Sequence, residues 1–169
     1  MVSIKEGRLT FSFPAGADAS QYDDWAFYRN QFNSAFGGTK AIDLLYVDND
    51  QTWLIEVKDY RAHPRTKTVD LGDEIAFKVR DTLAGLAAGK CYANDADEKR
   101  LAKLALTKNK LRVVLHLEQP TKHSKLFPKV VDPSKLMMKL KQKLKVVDAH
   151  PVVVDQHSLK ANMNWTVAG

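Results

Sequence analysis

Alternating apolar and polar positions predict a β-hairpin in the first third of the chain. Two runs rich in β-branched and aromatic residues, Ile42 to Val47 and Trp53 to Lys58, flank the polar residues 48–51. This is the pattern of two strands joined by a turn. With two or four residues in the loop, the hairpin places Asp43 directly opposite Glu56.

A helical period appears in four other segments. Aromatic residues recur every three or four positions after Ser20, a plausible N-cap, Asp70 is a plausible cap of a second helix, and a third helix starts at Asp95. A basic amphipathic pattern follows Ser134. The predicted helices are Ser20 to about Phe36, Asp70 to about Ala88 with Gly89 as the stop, Asp95 to Leu106, and one that begins at Ser134.

Further short strands are predicted at Arg8–Phe13, Leu111–Leu117, Val152–Val154 and Trp165–Val167. Strands and helices alternate, and the central strands are apolar on both faces, as in a sheet that is covered on two sides. We therefore expect an α/β fold in a single domain, residues 1–169. A central mixed β-sheet should be flanked by helices, with a basic C-terminal helix and short terminal strands.

The hairpin brings two like charges together. Opposed side chains in an antiparallel pair have Cβ atoms about 5 Å apart, so Asp43 and Glu56 need a positive group between them. Lys58 shares the face of Glu56, because side chains alternate along a strand. The two carboxylates are the oxygen ligands that Mg2+ prefers, and Lys58 could orient a metal-bound water.

At these residues the chain resembles the PD-(D/E)xK nuclease superfamily, although Ile42 stands where the family often has proline. The resemblance implies a restriction-endonuclease-like core. It also implies that Asp43, Glu56 and the carbonyl of Val57 bind the metal, with Lys58 as the catalytic lysine. The alternative is a surface hairpin whose charges are merely solvated.

Composition limits the class of protein. The 169 residues are 44% hydrophobic and 27% charged, as in a soluble globular domain. There is no apolar run near the ~20 residues that span a bilayer and no signal-peptide pattern. Cys91 is the single cysteine, which excludes an internal disulfide and suggests a reducing, cytoplasmic location.

Charge is distributed unevenly. Residues 101–169 hold 13 basic and 4 acidic residues, whereas residues 1–60 hold 5 basic and 9 acidic residues. Clustered lysine and arginine favour a phosphate backbone through counterion release. This asymmetry indicates a nucleic-acid partner, although basicity alone does not exclude a merely soluble surface.

Several residues are candidates for contacts around the hairpin. The predicted nucleic-acid-binding residues are Arg61, Arg65, Lys67, Lys122, Lys125, Lys129, Lys139 and Lys143. Acidic or basic residues on the two helices that flank the hairpin are possible accessory groups: Asp23, Asp24, Glu74 and Lys78. For Asp23 and Asp24 the simpler expectation is that they are first-turn acids that favour the helix dipole. For Glu74 and Lys78 it is an exposed i, i+4 ion pair. His116 is expected to be a structural histidine.

Together these features predict a metal-dependent nuclease, an endonuclease or exonuclease that hydrolyses phosphodiester bonds by attack of a metal-activated water. DNA is favoured over RNA as the substrate, and Mg2+ is the expected cofactor, with Mn2+ as a substitute. The alternative is a non-catalytic nucleic-acid-binding or protein-interaction module that retains the nuclease fold. No membrane partner is expected, and a homodimer or a larger complex is possible.

Overall fold

A five-stranded sheet forms the centre of the computed structural model, which describes residues 1–120 and 131–169. In chain order the strands are β1 (Val2–Glu6), β2 (Leu9–Phe13), β3 (Asp18–Gln21), β4 (Leu44–Val47), β5 (Gln51–Asp59), β6 (Lys110–Glu118), β7 (Val152–Val154) and β8 (Thr166–Ala168). The helices are α1 (Leu71–Tyr92), α2 (Ala96–Ala105) and α3 (Pro133–Leu144).

The central sheet is mixed, with the strand order β3-β4-β5-β6-β7. The pairs β3/β4 and β4/β5 are antiparallel, whereas β5/β6 and β6/β7 are parallel. Parallel strands need a crossover connection, and α1 and α2 supply it between β5 and β6. The sheet with its flanking helices confirms the α/β class, and α3 confirms the basic C-terminal helix.

Each face of the central sheet is covered by a different layer. On one face, Leu45 and Leu54 belong to a core with Ile75 of α1 and Leu140 of α3. On the other face, alternate strand residues pack against a three-stranded sheet of order β1-β2-β8. This second core contains Leu44, Tyr46, Trp53, Ile55, Phe11, Phe13 and Trp165. The two cores explain why β4 and β5 carry apolar residues on both sides.

The hairpin prediction is confirmed, including its register. Leu45 pairs with Leu54 and Val47 with Thr52, as the turn length required. Asp48 closes the turn, since its carboxylate accepts hydrogen bonds from the backbone N–H groups of residues 50 and 51. β5 is longer than predicted and runs on to Asp59.

The helix predicted from Ser20 to Phe36 is wrong. Ser20 lies in β3 and pairs with Leu45, and its hydroxyl accepts a hydrogen bond from Trp25. The chain then forms a 3₁₀ turn, a π-helical segment and a second 3₁₀ turn: Tyr22–Asp24, Tyr28–Phe32 and Ala35–Gly37. The aromatic residues pack in several directions from this irregular segment, so their helical spacing did not produce a regular helix.

The N-terminus of α1 is predicted correctly, but its C-terminus is not. Asp70 caps the helix by accepting hydrogen bonds from the N–H groups of Gly72 and Asp73. The helix continues through Gly89 to Tyr92. A Cβ on Gly89 would lie 3.3 Å from the Phe27 ring, so this glycine allows close packing rather than ending the helix.

Strand β1 was not predicted. It pairs with β2 across a turn in which Gly7 adopts φ of +59°, a conformation that glycine accepts without strain. The predicted strands at residues 111–117 and 152–154 are confirmed as β6 and β7, and the last strand begins at Thr166. None of the helices in residues 1–120 and 131–169 is long and apolar enough to cross a membrane.

Candidate functional site

The hairpin brings Asp43 and Glu56 together just before β4 and near the end of β5. The backbone N–H of Val57 donates a 2.7 Å hydrogen bond to Asp43 Oδ2, which ties the Asp43 carboxylate to the strand that carries Glu56. Glu56 is 1% exposed, and Lys58 Nζ donates to its Oε1. The predicted convergence of Asp43, Glu56 and Lys58 is therefore present.

The positive group between the two carboxylates is a lysine from α1. Lys78 Nζ lies 3.2 Å from Asp43 Oδ1 and 2.6 Å from Glu56 Oε1. Opposite charge from the helix thus balances the like charges that the hairpin opposes. Lys78, named above as a possible accessory residue, thus contacts both carboxylates.

Glu74 lies one helical turn before Lys78 but does not form the expected exposed ion pair with it. Glu74 is 1% exposed and lies 2.8 Å from Arg65, 2.9 Å from Lys67 and 3.5 Å from Lys58. The expected exposed ion pair is wrong because Arg65 and Lys67, in the segment that precedes α1, cover Glu74. Sequence spacing along one helix could not show that segment.

The electrostatics of the two buried glutamates differ. Burial and the neighbouring charge of Asp43 raise the pKa of Glu56 to about 7, against the opposing effect of Lys78 and Lys58. Burial also opposes ionisation of Glu74, but hydrogen bonds from Lys67 and Arg65 lower its pKa to about 2. Glu56 can therefore exchange a proton near neutral pH, whereas Glu74 stays ionised.

The two lysines at the site remain charged. Burial works against the ammonium of Lys78, yet Glu56 and Asp43 raise its pKa above the ordinary value. Burial likewise opposes the charge of Lys58, while Glu56 raises its pKa. Neither lysine is therefore suited to act as a base near neutral pH.

Two more carboxylates lie at the edge of the site. Burial, followed by the charges of Asp43 and Asp23, raises the pKa of Glu6 to about 7. Burial and Asp43 raise the pKa of Asp23 to about 6. Asp23 is thus near the site as expected, whereas Asp24 is exposed and lies 3.5 Å from Arg29.

Sequence reasoning missed Glu6, although a signal for it exists. Val2, Ile4 and Glu6 alternate with exposed residues in β1 and share one half-buried face. Glu6 follows Val2 and Ile4 on this face, and a carboxylate is costly to bury unless it has a partner. Gln21 supplies a 2.7 Å hydrogen bond to Glu6 Oε2.

Most cations predicted to bind phosphate are engaged by acidic residues. Arg61 lies 2.8 Å from Asp59, Lys139 lies 2.6 Å from Asp70, and Lys143 pairs with Asp73. Arg65 and Lys67 contact Glu74, as described above. Lys122, Lys125 and Lys129 lie outside the described residues. His116 is buried and hydrogen-bonded to Glu118 at 2.9 Å, which agrees with a structural role.

The residues at the site only partly suit a divalent cation. Glu56 Oε2 is buried without a hydrogen-bond partner, so one carboxylate oxygen is available to a cation. In the part of the chain that the structure describes, however, no group of three or more His, Cys, Asp or Glu residues is placed to hold a metal ion. The expected Mg2+ ligands, Asp43, Glu56 and the Val57 carbonyl, remain a prediction.

The chain is similar to a segment of a known tRNA ligase. A cysteine–tRNA ligase of Neisseria meningitidis serogroup A is 34% identical over 176 aligned residues, which cover 86% of this chain. The chain is similar to part of a tRNA ligase. It spans about a quarter of that relative, 25% of its length. No family model and no solved structure matches the chain.

This similarity overturns the resemblance to the PD-(D/E)xK nucleases. That resemblance rested on Asp43 and the short Glu56-Val57-Lys58 motif, whereas the similarity to the ligase covers 86% of the chain. The predicted metal-dependent DNA nuclease, endonuclease and hydrolase activity is therefore wrong. Opposed carboxylates with a lysine are also what a buried ion-pair network requires, so the motif alone could not separate the two cases.

Proposed function

We propose that this chain is an RNA-binding module that recognises tRNA. The observation that carries the proposal is the 34% identity to part of a cysteine–tRNA ligase, spread over 86% of the chain. A ligase of that name acts on tRNA, and a segment of about a quarter of its length can contribute binding surface to that task. RNA therefore replaces DNA as the favoured partner.

The charge of the chain supports this proposal. The net charge is +6, and the basic excess lies in residues 101–169. Lys135 and Lys141 on α3, and Lys145 directly after its last residue, are exposed. These three lysines have no acidic partner among the described residues, unlike Lys139 and Lys143 of the same helix. They are free to contact phosphates, which supply most of the affinity in sequence-independent binding.

Lys67 adds one exposed cation next to the buried site. Lys58, Arg65, Lys67 and Lys78 surround Asp43, Glu56 and Glu74, but Glu6 and Asp23 lie at the edge of the site, so the site as a whole has no positive excess. Lys67, whose side chain is 61% exposed, is the cation of this group that a phosphate of bound RNA can reach.

Titration of fluorescent tRNA at several salt concentrations tests the proposal. We expect salt-dependent binding, and replacement of Lys135, Lys141 and Lys145 by serine should weaken it. Each lost phosphate contact should lower the slope of log K against log salt by about 0.7 to 0.9. The matched control replaces three exposed lysines on other segments by serine: Lys5, Lys90 and Lys160.

The outcomes of this titration are distinct. Binding that weakens in the α3 variant but not in the control variant supports α3 as a contact surface. Absence of tRNA binding by the wild-type chain at low salt would contradict the proposed function. Equal weakening in both variants would indicate attraction by net charge alone, without a defined RNA surface.

A further inference from the structure

Phe36 combines two unusual properties. Its side chain is 88% exposed, and its backbone has φ of 56° and ψ of 28°. Among the described residues it alone has a positive φ without being glycine. A left-handed conformation is rare for a bulky residue, and such strained positions cluster at ligand-binding sites.

The turn that carries this ring is closed by local hydrogen bonds. The Gly38 N–H donates to the Ala35 carbonyl at 2.9 Å, and the Thr39 N–H donates to the Asn33 carbonyl at 2.8 Å. The Thr39 hydroxyl donates to the Phe32 carbonyl at 2.8 Å. These bonds hold the strained backbone in place, so the exposed ring is presented by an ordered turn.

Two basic residues meet Asp81 beside this turn. Asp81 on α1 accepts a 2.9 Å hydrogen bond from the backbone N–H of Lys40 and another from Arg80 Nε. Arg80 also forms an ion pair with Asp81 at 2.9 Å, yet its side chain is 70% exposed, and the Lys40 side chain is exposed, so the three residues together carry one net positive charge. The Arg80 guanidinium also lies 5.1 Å from the centre of the half-exposed Phe77 ring.

Phe36 is the exposed ring of its turn. It makes a T-shaped contact with the buried Phe32 ring, with the centroids 6.0 Å apart, and its exposed chain neighbours Asn33, Ser34, Gly37 and Gly38 carry no large apolar side chain. A protein partner would require a contiguous exposed apolar patch, which this one exposed ring does not provide. One aromatic ring beside two exposed cations suits one flat, apolar group attached to a negatively charged backbone.

We propose that Phe36 stacks on an unpaired base of bound RNA, and that Lys40 and Arg80 contact the adjacent phosphates. This inference rests on the proposed RNA-binding function and names the part of the RNA that binds here. Every base has a π face, so such stacking tolerates different sequences. A base inside a duplex is already stacked, so the site selects single-stranded loops or ends.

A fluorescent base analogue tests the stacking directly. The probe is a single-stranded RNA of about ten nucleotides that contains one 2-aminopurine, whose fluorescence falls when it stacks. The wild-type chain should quench it, and Phe36→Gly should bind about tenfold more weakly without quenching. Glycine adopts the left-handed backbone readily, so this variant keeps the turn.

Two further variants separate stacking from other effects. Phe36→Trp keeps an aromatic ring and should retain quenching and affinity. Tyr92→Ala is the matched control, because Tyr92 is 73% exposed and lies in an ordinary helix. Arg80→Gln and Lys40→Gln should each lower the salt slope for single-stranded RNA by about 0.7.

The results distinguish this inference from the proposed function. A wild-type chain that binds neither tRNA nor single-stranded RNA overturns both. If tRNA binds but the probe is not quenched, or if Phe36→Gly quenches it as the wild type does, stacking alone is overturned. An equal loss of affinity in Tyr92→Ala also overturns the assignment to Phe36.

Discussion

The Asp43–Glu56 site and the Phe36 turn both depart from the rule that charged side chains face solvent and apolar side chains are buried. At the site the carboxylates are buried and the Lys58 and Lys78 side chains are only 16% and 15% exposed, whereas at the turn a phenyl ring faces solvent. A buried charge needs a partner, and here Lys78 reaches it from another element. The Phe36 turn is held by hydrogen bonds between residues close in sequence. The first region therefore depends on tertiary packing, and the second on local structure.

Removal of Lys78 should have the largest effect. Lys78→Met leaves Asp43 and Glu56 opposed without the ammonium between them, so the free energy of unfolding should fall by about 3–5 kcal/mol. Urea denaturation measures this change. Lys90→Met, on an exposed position of the same helix, is the control and should change stability by less than about 0.5 kcal/mol. Equal stability of the two variants would show that the buried network does not depend on Lys78.

The pH dependence of stability should report the proton on Glu56. Its pKa is raised from 4.5 to about 7 in the folded chain, so the folded state binds more protons than the unfolded state between these values. Stability should therefore fall as pH rises through this window. Glu56→Gln should reduce this loss of unfolding free energy by about 1–3 kcal/mol, as measured by denaturation at several pH values.

Part of the slope should remain in Glu56→Gln. The pKa values of Glu6 and Asp23 are also raised, to about 7 and about 6, and they act in the same direction. Glu74 has a lowered pKa of about 2, so its stabilising contribution is lost only at more acid pH. A wild-type profile that rises between pH 4.5 and pH 7 would contradict the assignment to buried carboxylates.

The effect of divalent cations on stability should show whether Asp43 and Glu56 can bind a metal ion in place of the Lys78 ammonium. We propose that Mg2+ competes with the Lys78 ammonium for Asp43 and Glu56. Mg2+ should then stabilise Lys78→Met more than the wild type, by about 1.4 kcal/mol at a concentration tenfold above Kd. Thermal unfolding with Mg2+ or EDTA measures this, and the Lys78→Met/Glu56→Gln variant should lose the effect. An equal shift in all three proteins would place any metal elsewhere.

Strain in the Phe36 turn should give the smallest effect. Phe36→Gly keeps the left-handed turn but removes the steric cost that a side chain has there, so it should stabilise the chain by up to about 1 kcal/mol. Phe36→Ala loses the ring but keeps the strained backbone, so it should be less stable than Phe36→Gly. Thermal unfolding of the pair isolates the backbone contribution, and the reverse order would show that the turn is unstrained.

Local patterns predicted part of the fold well. The hairpin register follows from side-chain alternation and turn length, and both are properties of about twenty consecutive residues. The cap Asp70 was also predicted correctly, since capping involves only the next three residues. The structure of residues 20–36 was predicted wrongly, because the spacing of the aromatic residues there reflects packing against several neighbours rather than one helix face.

The candidate site shows the same division. Asp43, Glu56 and Lys58 were predicted from alternation within the hairpin, and the structure brings them together. Glu6 was missed, and the partners of Glu74 were predicted wrongly, because these depend on how β1 and the segment before α1 fold over the hairpin. The function was also predicted wrongly, since a three-residue motif cannot separate a metal site from a buried ion-pair network.

The sequence by itself determined the α/β class, the hairpin, the cap of α1 and the basic character of α3. Each of these depends on the period or the chemistry of neighbouring residues. Only the tertiary structure decided that Lys78 bridges Asp43 and Glu56 and that Glu74 is buried among three cations. The partner of a buried charge is set by how distant elements pack. Lys78 and Asp43 are 35 positions apart, beyond the reach of any local pattern.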